Sequence, residues 1–155
     1  MSTLTVHHLN RLSLPAFRRL FRTLSAPLLE SLCGEFHSEI VGPAWMRWIA
    51  PPALVMGGLG GWRGKLFDDT GQGVNLVNRR GQMKQVLPMQ LARQASLIDQ
   101  QPVIAVTYAA SAPPPWPWII DELRQLNAQT VLGMTVATRL GLHRVAFPFL
   151  LHKKS

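Results

Sequence analysis

Four glycines fall within five residues at Gly57, Gly58, Gly60 and Gly61, and the chain then runs straight into Trp62-Arg63-Gly64-Lys65-Leu66-Phe67. Glycine lets a backbone reverse sharply or pass close to a neighbour, so this cluster ahead of a β-rich run marks the entry to a strand. Trp62 supplies a large ring for whatever that strand closes over.

Downstream, the pattern is of strands joined by short turns. Asp68-Asp69-Thr70-Gly71-Gln72-Gly73 has turn chemistry, and Val74 to Asn78 returns as the second arm of a hairpin. A turn at Arg79 to Gln82 leads into a longer strand, Gln85 to Ser96, in which Pro88 marks an edge or a bulge. Pro102 to Ala109 is so poor in polar residues that both of its faces are expected to be covered. Ile119 to Gln125, Thr130 to Thr138 and His143 to His152 complete the set. About eight strands of ordinary length is the number at which an antiparallel meander closes into a small barrel, so the expected fold is mainly β, with helices confined to the N-terminus.

The chain before the barrel reads differently. Residues 1–12 are expected to be a flexible arm and 13–33 a helical cap, with 34–155 forming the barrel of a single domain. Ser13 followed by Leu14 and Pro15 caps a helix whose Leu14, Phe17, Leu20, Phe21 and Leu24 share one face, while Arg18, Arg19 and Arg22 take the other. Such a helix either packs on its own domain or makes a peripheral contact with an anionic membrane. A second short helix, through Leu28, Leu29 and Leu32, ends at Gly34. The two could plug or cover one end of the barrel. Glu35 to Val41 alternates as a strand, with Glu35, His37 and Glu39 on one side, either as a wet face or as an acid–base or metal group. Pro43 to Ala50, which carries Trp45, Met46, Trp48 and Ile49, is a short helix or lid expected to end at Pro51 and Pro52. Ser111 to Pro117 is a rigid proline-rich loop that either suits a partner's groove or folds Trp116 over the barrel mouth.

Composition narrows the partners. The 155 residues carry a net charge of +8, yet only 15% are charged and 47% are hydrophobic. The basic residues are scattered, unlike the concentrated patch of a nucleic-acid reader, so no specific nucleic acid is expected. Cys33 is the only cysteine, which rules out an intrachain disulfide and fits a reducing, cytoplasmic compartment. Four arginines among the first thirty residues also suit an organelle transit peptide, although reading them as part of the domain is simpler. No P-loop, dinucleotide fingerprint or nucleophile spacing is present, and no metal or cofactor is expected.

The Trp62-Arg63-Gly64-Lys65-Leu66-Phe67 run, Asp121 to Arg124, Thr130-Val131-Leu132-Gly133-Met134 and Phe147-Pro148-Phe149 together resemble uncharacterised bacterial proteins carrying a GxWxG-type domain. The likeness spans roughly Gly60 to Leu151. Gly60-x-Trp62-x-Gly64 is also similar to the signature of lipocalin-like and haem-binding nitrobindin-type barrels. The resemblance implies a calycin-like barrel and carries no settled activity. A haem barrel would need an inward axial histidine, for which only His143 and His152 lie late enough, and exposure suits both better.

Two functions follow from these residues. The first is a binding module for a small apolar or amphipathic acid. Trp62, Phe67, Tyr108, Met134, Phe147 and Phe149 would be its walls, and Arg63, Lys65 or Arg124 would anchor the head group. Alternation puts Arg63 and Lys65 on the face of Phe67, opposite Trp62. The second is a cofactor-independent isomerase, cyclase or decarboxylase in the same barrel, with Asp121 or Glu122 as its acid–base group. Asp121 and Leu123 share one strand face and Glu122 and Arg124 the other. An acid that points into the barrel would be a candidate proton donor or base, whereas at the rim both would be ordinary ion-pair partners for Arg63, Lys65 or Arg144.

Overall fold

A computed structural model describes residues 4–139 and 145–155. Eight antiparallel strands form a closed barrel in meander order: β1 (Gly34–Ile40), β2 (Trp62–Phe67), β3 (Gln72–Arg79), β4 (Gln82–Ala95), β5 (Pro102–Tyr108), β6 (Ile119–Asn127), β7 (Thr130–Ala137) and β8 (Ala146–Lys153). Closure comes from β1 against β8, with His37 opposite His152 and Ile40 opposite Phe149. The barrel anticipated from the alternating runs is therefore present, and closing it removes every sheet edge.

Strand alternation sorts the apolar residues into two cores. Phe36, Phe67, Ile104, Val106, Leu123 and Phe149 belong to the inner one. The outer core lies between the barrel wall and the N-terminal helices, α1 (Val6–Leu9) and α2 (Leu14–Thr23), where Leu9, Phe17 and Phe21 meet Val103, Leu132 and Leu150. This second layer explains why β5 is apolar on both faces.

The helices correct two expectations. Residues 6–9 of the expected arm form α1, and Leu9 is fully buried. The cap over residues 13–33 does not plug an end as one unit. Ser13 Oγ accepts a hydrogen bond from Ala16 N to start α2, as expected, but α2 lies along the outer wall with Phe17 and Phe21 buried. The apolar face that a membrane would have taken is thus occupied by the domain itself. Only the following 3-10 turn, Leu29–Leu32, sends Leu32 into the inner core, beside Phe36. Glu35 reaches Lys154 and Glu39 reaches His152, so neither joins exposed His37 in a site.

A third helix, α3 (Ala44–Met56), runs straight through Pro51 and Pro52 instead of ending there. Proline in a helix removes a hydrogen bond to the carbonyl four residues earlier, here those of Arg47 and Trp48. Both residues lie on an exposed stretch where solvent reaches the backbone. After α3 the glycine cluster does what its composition implied. Gly61 has φ +76°, and a Cβ on Gly64 would sit 1.8 Å from the Phe36 carbonyl oxygen, so β1 and β2 can pair only over a bare backbone.

Candidate functional site

Between the upper half of the barrel and α3 lies a cavity of about 540 Å³. Its roof is Met46, Ile49, Ala53 and Leu54 of α3 together with Trp116, and its walls include Ile40, Trp62, Ile119, Phe147 and Phe149. Trp116 stacks obliquely on Tyr108 at 5.3 Å between ring centroids and donates Nε1–H to Gly57 O at 2.6 Å, which ties the proline-rich loop to the end of α3. Trp62 meets Phe149 edge-on at 5.6 Å. Gly133 leaves the room this needs, since a Cβ there would lie 2.2 Å from the Phe149 ring.

Four polar side chains, Lys65, Tyr108, Asp121 and Thr135, reach the cavity. A β-bulge puts the lysine there. Trp62 pairs with Val77 but Gly64 pairs with Leu76, so Arg63 is the extra residue and alternation slips by one. Trp62 and Lys65 consequently both face inward, although simple alternation put them on opposite faces. A second irregularity, around Leu87 (φ +53°) and Pro88, lets the Leu87 carbonyl accept from Asn75 Nδ2 at 3.3 Å.

Asn75 in turn orients the lysine. Its Oδ1 accepts from Lys65 Nζ and from Trp62 Nε1, each at 3.0 Å. Lys65 Nζ also donates to Tyr108 Oη at 3.0 Å and lies 3.3 Å from Asp121 Oδ2. Tyr108 passes its own proton toward Asp121 Oδ2 at 2.9 Å, and Thr135 donates to Asp121 Oδ1 at 2.8 Å. The ammonium has three hydrogens and three partners, so none is left for a ligand. Every buried side-chain nitrogen and oxygen among the described residues has a partner.

The electrostatics follow from burial. Desolvation lowers the Lys65 pKa from the usual lysine value, and the charge and hydrogen bond of Asp121 work in the opposite direction. Tyr108 is pushed well above the ordinary phenol value, first by burial and then by the neighbouring Asp121 charge. Tyr108 is the only tyrosine, so an alkaline titration followed by phenolate absorbance reads this site alone. We expect no phenolate signal at pH 10 to 11 while the protein is folded, and the full signal once it is denatured. Between those states the unfolded chain loses a proton that the folded one keeps, so the tyrosine's contribution to stability falls as pH rises above about 10. A normal titration in the folded protein would mean that the base of the cavity is wet.

Several expected site residues lie elsewhere. Arg63 is exposed on the bulge, and Met134 belongs to the outer core under the helices. Phe67 packs edge-on against Phe36 at 5.9 Å in the inner core and does not line the cavity. Arg124 faces outward beneath α2, where it pairs bidentately with Asp99 and donates to Phe21 O. Glu122 is buried, but outside the barrel, accepting from Ser96 Oγ and Leu97 N. Desolvation raises its pKa, and those two hydrogen bonds work against the rise. His143 lies outside the described residues, and His152 Nε2 is 2.8 Å from Glu39 on the barrel surface.

Trp62, Lys65, Tyr108, Asp121, Phe147 and Phe149 are brought together. Asn75 and Thr135 were not anticipated. Their signal was a polar residue set between apolar neighbours in mid-strand, as in Val74-Asn75-Leu76.

No family model matches the chain, and no curated protein does. A solved structure, that of a protein from Thermomonospora curvata, superposes with a TM-score of 0.71 over 93% of this chain and 89% of that one, at 19% identity. At that identity the likeness is one of fold.

Proposed function

We propose that the protein binds a small apolar molecule carrying a neutral hydrogen-bond donor such as a hydroxyl. The observation that carries this reading is an apolar cavity of about 540 Å³ whose polar base is an ion pair with no ammonium hydrogen to spare. A carboxylate head group would face Asp121 without a free cation, whereas a hydroxyl can donate to Asp121 Oδ1 or Tyr108 Oη, each with acceptor capacity left. This changes the class of head group expected from the cations in the sequence.

Displacement of an environment-sensitive apolar dye by a long-chain alcohol and by the matching carboxylic acid tests the reading. The alcohol should compete at least about tenfold better at neutral pH, one good hydrogen bond against one buried unpaired charge. Equal competition by the acid, or none by either, would overturn it. Native mass spectrometry of the protein from its own host would then name the molecule.

The position of Asp121 supports a second reading. It is the one acid in the cavity, held by Thr135, Tyr108 and Lys65, and a carboxylate so placed can take a proton from a bound ligand while Tyr108 and Lys65 balance the charge. Chemical change of the co-purified ligand on incubation would favour this reading. We also propose kinship with the GxWxG-type proteins, since Trp62 and Gly64 each have a structural role that few residues could fill.

A further inference from the structure

α3 carries more apolar side chains than a helix that only roofs a cavity needs: Trp45, Ile49 and Met56 border the cavity and are still exposed, and Trp48 and Val55 lie outside it altogether. Trp48 is 83% exposed, Met56 89%, Val55 63%, Ile49 57% and Trp45 54%, whereas Met46 is the helix's only buried residue. Exposed apolar residues scattered singly over a protein are ordinary, but five on one thirteen-residue helix are a contiguous patch of the kind that marks an interaction surface.

The charges around this patch share one sign. Arg47 is the helix's only charged residue. Arg11 lies beside Trp45, Arg79 donates to Gly58 O just past the helix, Arg80 and Lys84 are on the adjoining β3–β4 hairpin, and Arg139 stacks on Trp118 at 4.6 Å. Among the described residues the only partly exposed carboxylate toward this end is that of Glu39, which is paired with His152. Of the chain's eight acids, Glu30 and Glu35 precede or start β1, Asp68 and Asp69 occupy the β2–β3 turn, and Asp99 the β4–β5 turn, all at the opposite end. Glu39 is turned to His152, and Asp121 and Glu122 are buried.

We propose that the α3 end of the barrel docks on an anionic phospholipid surface, with Trp45, Trp48, Ile49, Val55 and Met56 in the boundary between headgroups and acyl chains. Tryptophan is favoured at that depth, an apolar helix face buries itself there, and the surrounding cations meet the lipid phosphates. Pro51 and Pro52 leave the carbonyls of Arg47 and Trp48 without helical donors, which suits the hydrated boundary and not the hydrocarbon centre. No helix among the described residues is long and apolar enough to cross a membrane. A second copy of the chain is a poorer occupant, because a two-fold contact at this end would set arginine against arginine with no acid between. The surface adjoins the cavity through Trp45, Ile49 and Met56, while Trp48 and Val55 belong to the surface alone.

The test is co-flotation of the full chain with phosphatidylcholine vesicles prepared with and without phosphatidylglycerol. The expected result is binding to the anionic vesicles that weakens with added salt, falls about fivefold for each charge removed in Arg80→Gln and Lys84→Gln, and is lost in the double variant Trp48→Glu/Val55→Glu. Neither Trp48 nor Val55 lines the cavity, so that variant should keep its melting temperature and its dye binding. Absence of flotation, or unchanged flotation of the glutamate variant, overturns the proposal. So does a dimer in sedimentation that the same variant dissociates, if the wild-type chain ignores vesicles. A failed alcohol competition with intact flotation would remove the ligand reading and leave this surface standing.

Discussion

Replacing Asp121 with alanine is expected to cost about 3–5 kcal/mol of folding stability, because it strands the Lys65 ammonium in a dry interior. The side chains of the pair are only 1% and 6% exposed, so solvent cannot take over from the lost partner. Lys65→Met should cost a comparable amount by leaving the carboxylate uncompensated. The double variant Lys65→Met/Asp121→Leu should recover most of that loss and match the wild type or exceed it by up to about 4 kcal/mol, since a buried ion pair seldom outperforms well-packed apolar side chains. Urea denaturation of the four proteins closes the cycle. Additive losses would show that the two groups do not form an isolated pair. If the double variant is as stable as expected, the charges are kept for what they do to a ligand and not for the fold.

The second large effect is expected at Arg124. It is 1% exposed, pairs with both oxygens of Asp99 at 2.6 and 2.8 Å, donates to the carbonyls of Phe21, Gln101 and Pro102, and stacks on the Phe21 ring at 4.4 Å. One guanidinium therefore ties the end of α2 to the β4–β5 turn. Arg124→Met keeps much of the volume and removes all of those bonds, and should cost about 3–5 kcal/mol while loosening α1 and α2 from the wall. Limited proteolysis should then cut between Leu24 and Gly34 faster than it does in the wild type. Cleavage at the same rate in both proteins would refute the staple.

The pH dependence of this staple has a definite sign. The hydrogen bonds from Arg124 are the main cause of Asp99's lowered pKa, partly offset by burial. A carboxylate depressed on folding contributes stability that is present above its unfolded value of about 3.9 and is lost as pH falls through the folded value. The wild type should therefore lose this contribution only in acid, and Arg124→Met should flatten that part of the profile.

Much of the barrel was legible before any coordinate. Turn residues between alternating runs located the strands, and β7 follows the expected span closely, whereas β8 begins at Ala146 and the expected start at His143 lies outside the described residues. The two faces of β6 were also readable, because period-two alternation placed Asp121 with Leu123 and opposite Glu122 and Arg124, but only the closed barrel shows that the Asp121 face points inward. The site was less so. Arg63 and Lys65 look alike in sequence, and a single bulged residue, caused by how β2 registers on β3, exposes one and buries the other. Arg124 looks like a pocket cation until α2 is seen to cover the barrel's outside. Proline statistics stop a helix at Pro51, yet α3 continues, since its backbone lies at the surface where water replaces the missing donors.

The order of strands, the turns between them and the need for an apolar interior are local properties, encoded by period, glycine and proline along the chain. Which cations serve the cavity and which serve the wall, and that Lys65 arrives there already neutralised, are matters of register and of distant residues brought to 3.0–3.3 Å. Neither leaves a trace in spacing. A bulge changes a face without changing a residue, and a buried charge finds its partner only when the barrel closes.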